Sequence, residues 1–488
     1  MILARKYEID FTNGPLLKKI ILYALPIIGV NILQLLFTAA DVTVLGIFSS
    51  NEVIDAAGTT KGDVAVAAVG ATSQIINLLV GFFVGLSMGA NVLVARAVGA
   101  RDKERAAKLV GTSVLVSLIF GTVIMIVGIL MSEQFLIWTK CAPGVLPYAK
   151  KYLQIYFLGM PVIMLYNFSA SILRAVGDTV RPLIFLASSG VANVLLNIFF
   201  ITVVGLDVEG VAIATVVSQL ISAVGAIIIM MRSTGYSSLS WKYLKIDKSA
   251  FRDIFIIGFP MGLSKCTFAL ANVIIYSSIN VLGEGVMAAN SIAKEFDAFI
   301  LETLHGFSLA SLAVVSQNLG AKKPERIKRT IFLSLGLVTV VGVVMGAALY
   351  IFGTSLCGII TDTETVIQYC AVRIAIVGTP YLLCGILNVV QEGIRGLGYS
   401  NTALFISIFA NIFYRLLWIM GVYPKLYVEG ETIKNYAYVC AVWPSSWIVA
   451  LMVSSVVLVI LYRKVKNKIN KENTEIEDKE KESLNVTG

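Results

Sequence analysis

Asp41 is the residue whose type and setting point most directly to chemistry. It lies in Leu36-Phe37-Thr38-Ala39-Ala40-Asp41-Val42-Thr43-Val44-Leu45, a run that stays apolar to Phe48. A charge at membrane depth is costly, so acids in such runs are usually kept for a function. The bland alternative is that the run ends early and Asp41 caps it among headgroups. Depth argues for the functional reading. Asp41 is about five residues from the outer end of its span at 1.5 Å per residue. Asn197 and Thr215 fall at similar depths in the fifth and sixth spans. Asn193 is one turn from Asn197 on the same helix face. One carboxylate, two amides and a hydroxyl could thus converge. Oxygens of this kind suit a hard cation such as Na⁺. A carboxyl group out of water could equally carry a proton, because burial penalises only its charged form.

A second group of ionisable residues lies in the other half of the chain. The seventh span carries Lys265. The eighth carries Lys294, Glu295, Asp297, Glu302 and His305. Glu295 and Glu302 are seven apart, and Glu302 and His305 three apart, so each pair shares a helix face. These groups could form a salt-bridge network with Lys265 or acidic contacts for a cationic substrate. Arg415 in the eleventh span is expected to neutralise an acid. Arg373 in the tenth is a further charge within an apolar run.

Enzyme chemistry has no visible seat. One histidine excludes a HExxH zinc site, and there is no GxGxxG or GxxxxGK[ST] loop. No cofactor is expected, and an ion gradient replaces ATP as the natural energy source. Six cysteines make no CxxC pair. Most sit in apolar runs, where cysteine acts as a small hydrophobe. Cys141 and Cys357 lie near predicted outer helix ends, where a disulfide could form.

The elements that must position these residues are membrane helices. Of 488 residues, 57% are hydrophobic and 14% charged, against roughly 25% charged in soluble domains. Mean hydropathy is +0.84. A membrane helix needs about 20 apolar residues. Twelve windows qualify: 19–46, 65–95, 107–131, 148–173, 183–204, 209–231, 254–282, 286–318, 329–352, 366–394, 401–423 and 441–462. The first nineteen residues are polar and basic, so the first run reads as an anchor and not as a signal peptide. The net charge of +9 does not indicate nucleic acid. Lysines and arginines flank the apolar runs, and no basic stripe with interleaved aromatics exists. With a cytoplasmic N-terminus, the inner segments hold 29 Lys and Arg and the outer loops 6. Both termini are therefore predicted in the cytoplasm of a cell membrane. The tail lacks aromatics, is rich in Lys, Glu and Asn, and is expected to be disordered. Asn485-Val486-Thr487 matches a glycosylation pattern, but a cytoplasmic tail cannot use it.

An internal repeat is readable at an offset of 221 residues. Val94-Ala95-Arg96-Ala97-Val98-Gly99-Ala100 corresponds to Val315-Ser316-Gln317-Asn318-Leu319-Gly320-Ala321. Leu173-Arg174-Ala175-Val176-Gly177 corresponds to Ile394-Arg395-Gly396-Leu397-Gly398. Pro26 and Pro161 have counterparts in Pro260 and Pro380, and all four are candidate bends. Gly81, Gly85 and Gly89 form a ridge of small residues for helix packing. Under the repeat, Glu302 replaces Gly81, and Arg415 falls near the counterpart of Asn197. Each half has six spans, so the halves share one orientation. The predicted architecture is all-α integral membrane, with two six-helix bundles related by a parallel repeat around a central cavity. The expected segments are a cytoplasmic start at 1–18, bundles at 19–231 and 254–462, a linker at 232–253 and a tail at 463–488.

Taken together, these motifs resemble the MATE family of multidrug and toxic compound extrusion transporters. The resemblance runs from about Leu16 to Tyr462. It rests on Pro26, the Asp41 segment, Ala67-Ala68-Val69-Gly70, Ala97-Val98-Gly99-Ala100, Leu173 to Thr179 with Arg181-Pro182, and Gly210-Val211-Ala212-Ile213-Ala214-Thr215. It implies an antiporter in which Na⁺ or H⁺ entry drives export of small organic, often cationic, compounds by alternating access. It implies that Asp41 carries the coupling ion and that Pro26 is a hinge responding to it. Asn193 and Thr215 match ion-site positions. Asn197 departs, since the family commonly has Asp there. A subgroup with carboxylates in spans 7 and 10 does not fit, because residues 254–283 and 366–391 hold no Asp or Glu. The chain is expected to act as a monomer in the bilayer. A flippase for a lipid-linked precursor is the second transporter reading. A non-transporting scaffold or receptor is disfavoured by Asp41 and by the repeat.

Overall fold

The structure is a computed structural model that describes residues 7–49 and 60–486. Residues 1–6 of the N-terminal segment, and Thr487 of the Asn485-Val486-Thr487 pattern, lie outside the described residues.

Every predicted window falls on a helix. Spans 1 to 3 are Leu16–Phe48, Lys61–Gly99 and Lys103–Trp138. Span 4 is two helices, Leu146–Leu158 and Met160–Ala175, meeting at 51°. Spans 5 to 9 are Val180–Thr202, Val208–Arg232, Lys248–Asn280, Glu284–Gly320 and Pro324–Ile360. Spans 10 and 11 are Glu364–Gly396 and Ser400–Leu426. Span 12 begins with Thr432–Cys440 and continues as Val442–Val486. Among the described residues, 11 helices are long and apolar enough to cross a bilayer, or 12 with the bent pair as one span. In lipid every backbone polar group must be paired within the chain, which is why such apolar runs fold as helices.

The four prolines act differently from one another. Pro26 and Pro260 lie inside unbroken helices. Pro161 stands in the first turn of the second arm of span 4, where the lost N–H costs nothing. Pro380 follows a π-helical turn, Ile374–Gly378, in which Thr379 N–H donates to Ile374 at 2.9 Å. Span 11 contains two more π-helical turns, Phe409–Phe413 and Trp418–Val422.

The chain divides into two compact units. The first holds Met1–Asp10, Leu22–Val94 and Asp102–Cys266. Its core gathers Leu45, Ala68, Leu153, Phe157 and Val211. Small residues allow its helices to touch, since lipid supplies no hydrophobic drive between them. A Cβ on Gly85 would fall 2.4 Å from the Gly262 Cα, and one on Gly89 would fall 2.6 Å from the Gly258 Cα. Gly81 faces open space, so the expected glycine ridge is two residues long and not three.

The second unit holds Phe11–Ile21, Ala95–Arg101 and Thr267–Gly488. The boundary thus runs through span 7, a division that hydropathy does not mark. The last helix continues through Val486, where composition predicts disorder. Lysine and glutamate are good helix formers, and Val465 and Ile469 are buried one turn apart against Ile327 and Ile331. Lys466 and Glu472 pair with Glu325 at 2.6 Å and Lys322 at 2.8 Å.

The repeat is written into the backbone. Gly177 and Gly398 have φ of 91° and 98°. Arg101 and Lys322 have φ of 58° and 52°. Both pairs are separated by the same 221 residues. The six cysteines are all free, so the Cys141–Cys357 disulfide is absent. Cys357 instead has the thiol of Cys370 as its neighbour.

Candidate functional site

The first unit brings Asp41, Asn193, Asn197 and Thr215 into one hydrogen-bonded chain. Asn197 Nδ2 donates to Asp41 Oδ1 at 2.6 Å and to Asn193 Oδ1 at 3.3 Å. Asn193 Nδ2 donates to Thr215 Oγ1 at 3.4 Å. Thr215 donates onward to the Val211 carbonyl at 2.9 Å. The one-turn spacing of Asn193 and Asn197 aims both amides at the same gap. Span 1 supplies the acid and span 6 the hydroxyl. Asn197 is fully buried, Asn193 nearly so, and Asp41 half-buried.

The surroundings are apolar. Val42, Val44, Leu45, Val194, Ile198 and Val211 belong to a single packed cluster. A carboxylate in such a place depends on the few donors that reach it. Asn197 is the donor that does so at short range. Its own Oδ1 is buried without a hydrogen-bond partner among the described residues. Tyr152 and Tyr156, from the first arm of span 4, lie within electrostatic reach of Asp41. Their rings stack 6.2 Å apart. Nothing in the local sequence marks these tyrosines. The bend after Leu158 brings their arm into the cluster. Pro26 is fifteen positions before Asp41 on the same unbroken helix.

The charges of the second unit are arranged otherwise than expected. Asp297 pairs with Arg373 of span 10, accepting from Nη2 at 2.7 Å and Nε at 3.2 Å. Arg373 also donates to Asn290 Oδ1 at 2.7 Å and lies 4.6 Å over the Trp443 ring. Both ions are buried. Lys265 makes no ion pair among the described residues, so the network is centred on Arg373. The physical reason is fit: a planar guanidinium holds a buried carboxylate through two N–H groups, which an ammonium cannot match. Glu302 and His305 approach to 3.7 Å, as their spacing predicts. Glu295 is exposed. Lys294 lies 5.8 Å from the Tyr276 ring centre.

Among the described residues Arg415 pairs with no acid. Its Nε donates to Ser446 Oγ and its Nη1 to Asn272 Oδ1, both at 3.2 Å. Arg373 is visible in the sequence as a charge in an apolar run, but its partner lies 76 residues away and no spacing rule points to it. Among the described residues no three His, Cys, Asp or Glu side chains gather as a metal site.

Known proteins share this arrangement of helices. One solved structure, of MATE in complex with MaL6, superposes with a TM-score of 0.82 at 19% identity, covering 93% of this chain and 98% of that one. Another, an outward-facing multidrug resistance MATE family transporter of the MOP superfamily, gives 0.80 at 20% identity, covering 93% and 98%. Among curated relatives, the probable multidrug resistance protein YoeA of Bacillus subtilis is 26% identical over 77% of this chain and 83% of its own. The probable multidrug resistance protein NorM of Thermotoga maritima is 23% identical over 85% and 87%. The MatE family model matches residues 26–199 and 260–418, which include Asp41, Asn193, Asn197, Asp297 and Arg415. With the twelve-span helical fold and the halves matched in turn, the chain belongs to the MatE family and is a multi-pass membrane transporter.

Proposed function

We propose that this transporter is a secondary active antiporter that exports small organic, mostly cationic, compounds while a proton or Na⁺ enters. The observation that carries the reading is the Asp41–Asn197 contact within an apolar cluster. A half-buried acid with one close donor can switch between charged and neutral forms at low structural cost. With Asp41 ionised, Asn197 donates to it. When Asp41 takes a proton, its O–H needs an acceptor, and the free Oδ1 of Asn197 is one half-turn of the amide away. Amide orientation follows the hydrogen-bond network, so the two forms of Asp41 favour opposite orientations. Pro26, on the same helix, is the point at which this rearrangement would bend span 1.

Na⁺ is the second reading. The oxygens of Asp41, Asn197, Asn193 and Thr215 form a hard donor set once Asn197 turns its oxygen inward. Glu295, the Glu302–His305 pair and Lys265 are proposed to meet substrate. The multidrug names of YoeA and NorM support the substrate class. The excess of basic residues on one side supports cytoplasmic termini in the cell membrane.

Efflux from proteoliposomes tests the reading. Purified protein is given a fluorescent organic cation and either a pH gradient or a Na⁺ gradient. Transport driven by the pH gradient alone identifies the proton. Transport that needs Na⁺ at constant pH identifies Na⁺. Dye movement indifferent to both gradients rejects antiport.

A further inference from the structure

Arg415 has the largest fully buried side chain among the described residues. The other buried arginine of the second unit, Arg373, has an acid in Asp297, and the half-buried Arg395 has Glu392 at 2.5 Å. Arg415 has none among the described residues. Its contacts are a serine hydroxyl, an amide oxygen and the Phe268 ring, 5.6 Å from its carbon centre. Neutral hydrogen bonds satisfy donors but leave the charge uncompensated, and an uncompensated charge in a membrane helix is expensive.

The surrounding groups are short of acceptors as well. Nη2 of Arg415 is buried with no acceptor, and so is Nε1 of Trp447. Asn272 Oδ1 already receives Arg415 Nη1 and, at 3.3 Å, Trp443 Nε1. Two donors on one oxygen fix the amide, leaving its Nδ2 as a further donor. Trp443 and Trp447 are one turn apart on span 12. The Trp447 ring packs 5.2 Å from Tyr381, which lies within electrostatic reach of Arg415. The four residues Tyr414–Leu417 that carry Arg415 stand between two π-helical turns. Such turns are rare and recur at functional sites.

We propose that Arg415 is the centre of a buried binding site for a small monovalent anion within the second unit. Its Nη2 is the principal donor, and Trp447 Nε1 and Asn272 Nδ2 are further donors of the same cluster. One unpaired cation calls for one negative charge, which disfavours sulfate and phosphate. The aromatic walls suit a weakly hydrated ion of chloride size or the carboxylate of an organic acid. The inference is independent of the role proposed for Asp41.

The test uses the full chain in detergent. Thermal unfolding is followed in sodium chloride, sodium benzoate and sodium isethionate at equal ionic strength, the last being a bulky anion. The site predicts a saturable rise in melting temperature with chloride or benzoate over isethionate. A rise with chloride marks the inorganic ion as ligand, and a rise with benzoate alone marks a carboxylate. Arg415→Gln should abolish the response and Asn272→Leu should weaken it. Crystals soaked in bromide should show anomalous density beside Nη2, a readout that stands even if Arg415→Gln fails to fold. Equal melting temperatures in all three salts, a full response in Arg415→Gln, or bromide absent from Nη2 would each overturn the proposal.

Discussion

A carboxylate among apolar side chains keeps its charge only through the donors that touch it, and for Asp41 the short contact is Asn197. Asp41→Asn removes the titratable group while keeping shape, so membrane expression should be unchanged and gradient-driven export in cells lost. Export at the unmodified rate would remove Asp41 from the coupling role. The Asp297–Arg373 pair carries a different expectation. Arg373→Met strands a buried carboxylate, at a cost of about 3–5 kcal/mol. The double variant Asp297→Asn/Arg373→Met should recover most of that loss in thermal unfolding. Independent, additive effects of the two changes would show that the ions do not stabilise each other. The Asp41 group is legible in sequence because helix pitch and matched depth relate its members. Arg373 is legible as a charge in an apolar run, but its partners on spans 8 and 12 are not, because packing alone sets them.

At the level of helices, hydropathy locates all twelve spans, since apolar length is what a bilayer demands. It does not tell a static proline from a bend. Pro26, Pro161, Pro260 and Pro380 read alike, yet only the residues around Pro161 separate two helices at 51°. The difference comes from neighbours. A Cβ on Gly121 would fall 2.5 Å from the Pro161 Cα, and one on Gly128 2.4 Å from the Phe157 ring, so span 3 is moulded to the bend. Pro161→Ala should restore the missing N–H and relax span 4 toward a straight helix. Arms of 13 and 16 residues would then separate by about 4 Å more at their ends, from the 1.5 Å rise per residue. Spin labels near Ala149 and Leu173 would report that change as a longer distance, and an unchanged distance would mean that span 3 holds the bend by itself. The three π-helical turns have no signal in composition at all.

For the whole chain, the last helix matters more than its composition suggests. Val465 and Ile469 are buried in the second unit, and burying each such side chain stabilises by about 1.5–3 kcal/mol. Truncation after Tyr462 should therefore lower the melting temperature by several degrees while transport per folded molecule persists. A truncated protein as heat-stable as the full chain would show that this helix contributes nothing.

Some properties of the molecule were decided before any packing. Twelve spans, their predicted direction, the 221-residue repeat and the acid in span 1 follow from local properties: apolar length, flanking charge, and identity at a fixed offset. Contacts between distant segments were decided only in three dimensions. They turned Asn197 toward Asp41, gave Asp297 to Arg373, left Arg415 Nη2 without an acceptor among the described residues, and ran the boundary of the two units through span 7. The reason is that hydropathy and helix pitch act along one chain segment, whereas a buried polar group is satisfied by whichever helix the fold brings alongside it.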